Sequence, residues 1–330
     1  MSHLRGKHVL VTGATGFIGS HLVERLLHEG CAVRALAHYR SDRRPGHLAR
    51  LDPGDLKRVE LVWGDVCDRD LTIGATRGID VVFHLAALIG IPYSYQAPSS
   101  YVQTNVVGTL NMLQAARDWG VERFVHTSTS EVYGSAQYTP IDESHPLVAQ
   151  SPYAASKIGA DQLAESFYRA FDVAVVTVRP FNTYGPRQSD RAIIPTILAQ
   201  CLAGCDRIRI GDGAPVRDFV YVTDTVDGFV RAAACDAAEG SVINLATGQG
   251  ISIADLAGKA CRQFDGAAIE TVDARCRPRR SEIRELIGDS RRAADLLGWR
   301  PTICLSDGLA RTAEFINANA DRFAAGHYVV

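Results

Sequence analysis

The stretch VLVTGATGFIGSHLVERLL, residues 9–27, passes from a β-rich apolar segment through Gly13, Gly16 and Gly19 into a run with helical spacing. Glycines so placed allow a tight turn, close backbone approach to a pyrophosphate, and close packing of helix on strand. A helix starting there turns its free N–H groups toward phosphate. The residues positioned to line such a site are Gly13, Thr15, Gly16, Phe17, Ile18 and Gly19. Glycines also close ordinary turns, so the reading rests on their position between a strand and a helix.

Outward from this turn, short β-rich runs at 8–11, 33–36, 60–63, 81–85, 124–127 and 173–178 alternate with helical patterns at 20–27, 101–119 and 154–171. That alternation predicts an α/β fold, a doubly wound parallel sheet of the Rossmann type with helices on both faces. After Pro180 the pattern loosens into a loop, a helix over 193–202, the segment GDGAPVRDFVYVTD (211–224) and the basic stretch ARCRPRRSEIR (274–284). Residues 1–180 are therefore expected to form the dinucleotide-binding domain, and residues 181–330 a smaller C-terminal substrate-binding lobe. Within that lobe the apolar runs 220–234 and 242–245 return part of 217–247 to the main sheet.

The composition narrows the class. The chain has 330 residues, 46% hydrophobic and 22% charged, with 35 basic against 37 acidic side chains and a formal net charge of −2. Such a balance fits a soluble globular protein and does not attract nucleic acid. No apolar run approaches the roughly 20 residues that span a bilayer, so no membrane partner is expected. Eight cysteines lie at 31, 67, 201, 205, 235, 261, 276 and 304 without CxxC spacing. With no apolar leader before the first strand, this reads as a reduced, cytoplasmic protein. Cys201 and Cys205 share a helix face but lack the further ligands of a zinc site, and no metal is expected.

An Asp or Glu at the end of the second strand ordinarily grips a free ribose hydroxyl. Here Ala37 stands there, followed by His38, Tyr39, Arg40, Arg43 and Arg44. Those side chains suit a 2′-phosphate, so the expected cofactor is NADP, with NAD the alternative. Asp65 and Val66 are placed for the adenine edge, and Leu85, Ala86 and Ala87 for the cofactor's floor. His84 reads as a satisfied strand histidine.

TGATGFIG (12–19), HLAA (84–87), STSEVYG (128–134), YAASK (153–157), RPFNTYGPR (179–187) and RDFVYVTD (217–224) occur in the order seen in extended short-chain dehydrogenases/reductases that modify nucleotide sugars. The resemblance covers nearly the whole chain. ALIGIPYSYQAPSSYVQTN (87–105) and NTYGPRQSDRAIIPTI (182–197) resemble the NDP-N-acetylglucosamine 4,6-dehydratases of the legionaminic acid pathway and, more distantly, GDP-mannose 4,6-dehydratases. The resemblance implies a nucleotide-sugar substrate, a nicotinamide cofactor that stays bound and is recycled, and a homodimer formed through the helices around 105–119 and 153–171.

The residues carry a chemistry of their own. Lys157 lies one helical turn beyond Tyr153, so its ammonium should lower the phenol's pKa. Tyr153 then takes the proton of a sugar hydroxyl as C4 is oxidised, with Thr129 orienting that hydroxyl. A C4 ketone acidifies the C5 hydrogen, which Glu131 is placed to remove before the C6 hydroxyl leaves as water. The dTDP-glucose dehydratases that this segment resembles carry Asp where this chain has Ser130, and serine is too weak an acid to replace it. Glu131 is therefore expected to give its captured proton to the C6 oxygen, through a water held by Ser130. A Glu in a first helical turn is otherwise a common surface carboxylate.

Facing the sugar nucleotide, Asn182 can donate to sugar or phosphate oxygens, and Arg187 and Arg217 can pair with the diphosphate. The stretch holding Arg277, Arg280 and Glu282 resembles the family's segment that closes over ribose and phosphate. Pro92 and Tyr93 bound the sugar pocket or serve as packing. Three alternatives compete: a UDP-glucuronate decarboxylase, a 4-epimerase, and a non-catalytic nucleotide-binding sensor.

Overall fold

The computed structural model describes residues 4–39, 41–42, 44–264, 268–272 and 277–323. Seven of its strands form one parallel sheet: β1 (His8–Thr12), β2 (Ala32–His38), β3 (Val59–Gly64), β4 (Val81–His84), β5 (Arg123–Thr127), β6 (Val175–Pro180) and, later in the chain, β10 (Val242–Leu245). Their spatial order is β10-β6-β5-β4-β1-β2-β3. Every residue of β4 and β6 is buried, as expected where helices cover both faces. The sheet is the doubly wound Rossmann architecture, and its order reverses between β1 and β4, where ligands settle beyond the carboxyl ends of the strands.

Twelve helices accompany it among the described residues: α1 (Phe17–His28), α2 (Pro53–Lys57), α3 (Arg69–Thr76), α4 (Ile91–Gln96), α5 (Pro98–Tyr101), α6 (Gly108–Trp119), α7 (Pro152–Phe171), α8 (Ile193–Leu202), α9 (Val222–Ala234), α10 (Ile253–Gln263), α11 (Arg291–Leu297) and α12 (Leu305–Asn317). Leu22, Val23, Leu26 and Leu27 give α1 its buried stripe. Ser151 caps α7 by accepting from the Ala154 N–H, and Pro152 fits the first turn, where no amide partner is needed. The cap fixes where the first turn of α7 places Tyr153.

The helical pattern over 101–119 is not one regular helix. Between α5 and α6, Val102–Val107 is wound as a π-helix, and this widened segment holds the fully buried Asn105. Beyond β6, a smaller sheet joins β7 (Asn182–Tyr184), β9 (Val216–Tyr221), β11 (Gly250–Ser252) and β13 (Glu285–Leu286), while β8 (Arg207–Ile210) pairs with β12 (Ala268–Thr271). β10 then lies against β6 in the main sheet, and α9 packs on α1, β5 and β6. Arg217 of β9 is in register with Ile251 on one side and Leu286 on the other.

Candidate active site

The glycine turn is built for close approach. Gly13 has φ 66°, and a Cβ there would lie 2.9 Å from the Ala86 nitrogen. A Cβ on Gly19 would lie 2.3 Å from the Gly13 oxygen. Gly16 precedes α1 without a side-chain cap, so the helix amides at Phe17 and Ile18 are left for an anion. Thr15 accepts, through its carbonyl, from the His47 N–H, drawing the segment after β2 over the turn.

Thr12 ties the turn to the end of β4. Its hydroxyl oxygen accepts from the Leu85 and Ala86 amides at 3.1 and 3.0 Å and donates to His84 Nδ1 at 2.9 Å. His84 Nε2 then donates to Thr109 at 3.0 Å, whose hydroxyl donates to the Asn105 carbonyl. Burial pushes His84 well below the usual imidazole range, so it is neutral and structural. At the other end of the crevice, His38 Nδ1 stands 3.8 Å from Asp65 Oδ2. Val66 packs against Gly108 and accepts from Asn111. Ala87 follows Ala86 in the same loop, and Arg40 lies outside the described residues.

Tyr153 and Lys157 are both buried, and Lys157 Nζ donates to the Thr127 carbonyl at 2.6 Å. The Thr129 hydroxyl stands beside the Tyr153 phenol, and its oxygen accepts from the Glu131 N–H at 3.2 Å. The expected fall in the phenol's pKa is not what the structure gives. Burial pushes Tyr153 upward, the Thr129 bond opposes this, and the charges of Glu131 and Asp161 add to the rise. The Lys157 ammonium is itself desolvated, which lowers it to about 8 against the pull of Asp161. Spacing in the chain places an ammonium near the phenol, but desolvation of the buried ring dominates its pKa.

Glu131 follows Thr129 into a short 3₁₀ turn, Ser130–Tyr133, with its side chain 13% exposed and Arg277 Nη1 3.8 Å from Oε1. Ser130 is buried beside it. Arg217 pairs with Glu282 at 2.9 Å, and Arg277 also approaches Glu282 at 3.9 Å. Two arginines and two carboxylates thus form one charged group, in which Glu131 belongs to the turn after β5 on the Tyr153 side and Arg217, Arg277 and Glu282 to the later part of the chain. Asn182 stands at the start of β7 and donates to the Asp218 carbonyl at 3.2 Å. A row of rings, Tyr93 to Tyr101 to Tyr153 with centroid spacings of 6.2 and 6.3 Å, leads from the half-exposed α4 to the phenol, with Pro92 in the first turn of α4.

Two expected residues stand apart. Arg187 donates to Glu24 at 2.8 Å and to Ser20 at 3.4 Å, so its guanidinium is held against α1 rather than in the Arg217 group. Its left-handed φ of 69° turns the chain that way. Arg280 has an exposed side chain, and its part in the site is its carbonyl, which accepts from Gln150.

Sequence reasoning overlooked Asn105. Its Nδ2 donates to the Leu88 carbonyl at 3.0 Å and to Ser156 Oγ at 2.9 Å, while its Oδ1 accepts from the Leu88 N–H at 2.8 Å. One side chain therefore joins the loop after β4 to α7 beside Tyr153. An Asn within a helical pattern, in QTNVVGT just before the apolar helix face, was the available signal. It also overlooked Tyr95, whose hydroxyl meets Ser281 Oγ at 2.6 Å and so anchors the stretch carrying Arg277 and Glu282. Among the described residues no group of three His, Cys, Asp or Glu side chains could hold a metal ion, and no helix is long and apolar enough to cross a membrane.

The family model described as GDP-mannose 4,6 dehydratase matches residues 10–312. A UDP-glucose 4-epimerase of Mycolicibacterium smegmatis is 38% identical over 316 residues, 93% of this chain and 97% of that protein. A dTDP-glucose 4,6-dehydratase of an Actinoplanes species is 34% identical over 323 residues, 94% of this chain and 98% of its own. Among solved structures, the dTDP-glucose 4,6-dehydratase of Streptomyces venezuelae with NAD and TYD bound superposes with a TM-score of 0.86 at 34% identity, covering 95% of this chain and 98% of that one.

Proposed function

The chain belongs to the GDP-mannose 4,6 dehydratase family, within the extended short-chain dehydrogenases/reductases that act on nucleotide sugars, and we propose that it is itself a nucleotide-sugar 4,6-dehydratase. The observation that carries this reading is Glu131. A glutamate whose N–H bonds Thr129 beside the Tyr153 phenol and whose carboxylate oxygen faces Arg277 suits abstraction of a C5 proton, and simple oxidation and re-reduction at C4 does not need it.

The α1 amides that no side chain caps fit a dinucleotide's pyrophosphate, at a turn that Gly13 and Gly19 let pack tightly on the neighbouring backbone. A bound nicotinamide would take the C4 hydride and return it to C6. Tyr153 accepts the C4 hydroxyl proton, and Thr129 fixes that hydroxyl. Glu131 removes the C5 proton and delivers it to the departing C6 oxygen, because buried Ser130 offers no acid. As the hydride reaches C6 a solvent-derived proton is added at C5, and Tyr153 gives the C4 hydroxyl proton up to water. Arg217, Arg277 and Asn182 hold the diphosphate and sugar. Of the two cofactors, NADP was expected from His38 and the arginines after it. Asp65, a carboxylate 3.8 Å from His38, favours NAD, since it repels a 2′-phosphate and accepts from a hydroxyl. Residues 1–180 would carry the cofactor and the lobe after them the sugar nucleotide. Exposed Val102, Trp119 and Phe171, on the π segment, α6 and α7, suit pairing of two copies through these helices.

The similarity to a UDP-glucose 4-epimerase supports a second reading, reversal at C4 without loss of water. Incubation in deuterated water with UDP-, GDP- and dTDP-linked hexoses and N-acetylhexosamines separates the two by mass and NMR. A dehydratase gives a 4-keto product lighter by one water with deuterium at C5. An isomer of unchanged mass without C5 deuterium would sink the dehydratase reading, and release of carbon dioxide from a glucuronate would replace it with a decarboxylase.

A further inference from the structure

One side chain of α4 touches both sides of the site. The Tyr95 ring packs against the buried cluster of Ile91, Tyr101 and Tyr153, so that end is fixed beside the phenol. The Tyr95 hydroxyl meets Ser281 Oγ at 2.6 Å, and Ser281 donates onward to the Gln150 carbonyl at 2.5 Å. A serine hydroxyl has one proton to give, so Tyr95 is the donor in the first bond. Gln150 immediately precedes Ser151, the cap of α7. Its Nε2 donates to the Arg280 carbonyl at 3.1 Å, and its Oε1 accepts from the Ser135 N–H.

Ser281 lies in a tight turn. The Ser281 and Glu282 amides both donate to the Pro278 carbonyl, at 2.8 and 3.1 Å, so the 277–282 segment moves as one piece with Arg277 at its start and Glu282 at its end. Two kinds of tie hold it to the site. The charged tie is Glu282 on Arg217 at 2.9 Å, with the looser approaches of Arg277 to Glu131 and Glu282. The uncharged tie runs from Tyr95 through Ser281 to Gln150.

A diphosphate acts on the two ties differently. Its negative charge draws Arg217 and Arg277 away from their carboxylates and repels Glu282, so the charged tie slackens as the ligand arrives. Among the described residues Arg277 Nη1 is buried without a hydrogen-bond partner, a need that a phosphate oxygen would meet. The uncharged tie contains no ion for the diphosphate to compete for. We propose that Tyr95 is a positioning residue: through Ser281 its hydroxyl holds the 277–282 turn over the site while the diphosphate competes for the turn's ion pairs. This rests on the reading of Arg217 and Arg277 as the residues that grip the diphosphate.

The test uses the full-length protein in two measurements. The first needs no ligand: Arg280 is exposed, and trypsin cleaves after it in proportion to how often the turn opens. Tyr95→Phe keeps the ring and removes one hydrogen bond, so cleavage after Arg280, followed by mass spectrometry, should quicken about 3- to 10-fold. The second is the affinity for UDP, GDP and dTDP by titration calorimetry. For whichever of these the wild type binds, Tyr95→Phe should weaken binding about 3- to 10-fold and Ser281→Ala at least as much. Ser281→Thr, which keeps the hydroxyl, should regain most of that affinity. The two hydroxyls act as one tie, so Tyr95→Phe with Ser281→Ala should bind no more weakly than Ser281→Ala alone. An unchanged cleavage rate in Tyr95→Phe overturns the tie. Faster cleavage with unchanged nucleotide affinity, or losses that add in the double variant, overturns the positioning role while the functional reading stands. A wild type that binds none of the three nucleotides ends that reading and takes the positioning role with it.

Discussion

The two walls of the site are built differently. On the α7 side, Tyr153, Lys157 and Asp161 are all less than 8% exposed, and hydrogen bonds to Thr127, Ser128 and His126 hold Lys157 and Asp161 in place. On the lobe side, Arg277 is 28% exposed, it reaches Glu131 and Glu282 only at 3.8 and 3.9 Å, and it is tied down through Ser281 and Tyr95. Proton transfer needs fixed, desolvated partners, whereas gripping a charged leaving group and a variable sugar needs cations that can shift. On the proposed reading the first wall does the chemistry and the second the recognition, which predicts that substitutions on the two walls fail in different ways.

The largest effect should come from the closed wall. Tyr153→Phe removes the proton acceptor while keeping the ring between Tyr101 and α7, and kcat should fall about 10³-fold with KM nearly unchanged, as general acid–base catalysis contributes about 10²–10⁴. A fall shared equally between kcat and KM would break the division of labour. Glu131→Gln should lower dehydration about 10²-fold. Oxidation at C4 should persist, so reduced cofactor should accumulate at 340 nm during a single turnover. An epimerase would instead keep most of its turnover in this variant.

The open wall should fail through binding. Arg217→Met leaves Glu282 without its 2.9 Å partner and removes the diphosphate contact proposed for this side chain. Hydrogen bonds to charged groups contribute about 1.5–3 kcal/mol, so KM should rise about 10- to 100-fold with kcat reduced less. Steady-state kinetics over a range of substrate concentrations measures the split. A loss confined to kcat would move Arg217 to the catalytic side.

What the sequence disclosed follows the same division. The glycine turn, the burial of β4 and β6, and the spacing of Tyr153 and Lys157 are local in the chain, so pattern and periodicity revealed them. Asn105 escaped because its meaning lies in Leu88 and Ser156, which are 17 and 51 residues away. Asp161 escaped because its partners come from β5 and β6, and an acidic residue on a long helix ordinarily reads as solvated. The direction of the Tyr153 shift was misjudged for a related reason: sequence shows which charges are near but not how much water has been removed. Arg187 shows the reverse case, since RPFNTYGPR suggested a diphosphate ligand and the fold places its guanidinium against Glu24 on α1.

Arg187 therefore offers the finest test of the boundary between the walls. If it serves α1 alone, Arg187→Ala should change KM less than about twofold, since Arg217 and Arg277 remain. The ion pair with Glu24, 11% and 36% exposed at its two side chains, contributes on the order of 1 kcal/mol, so the loss at neutral pH should be small. The acid response carries more information. His21 is lowered to about 4, chiefly by burial and next by the Arg187 charge, from an ordinary value of 6.5. Its folded form binds fewer protons than its unfolded form between those values, so this group's contribution to stability is present above about 6.5 and is lost as pH falls toward 4. Removing the Arg187 cation lets His21 accept a proton more easily when folded. Thermal melts should then show Arg187→Ala losing less stability than the wild type between pH 7 and pH 5. A variant that instead raised KM tenfold would place Arg187 among the residues that grip the substrate, and the wall would extend to α1.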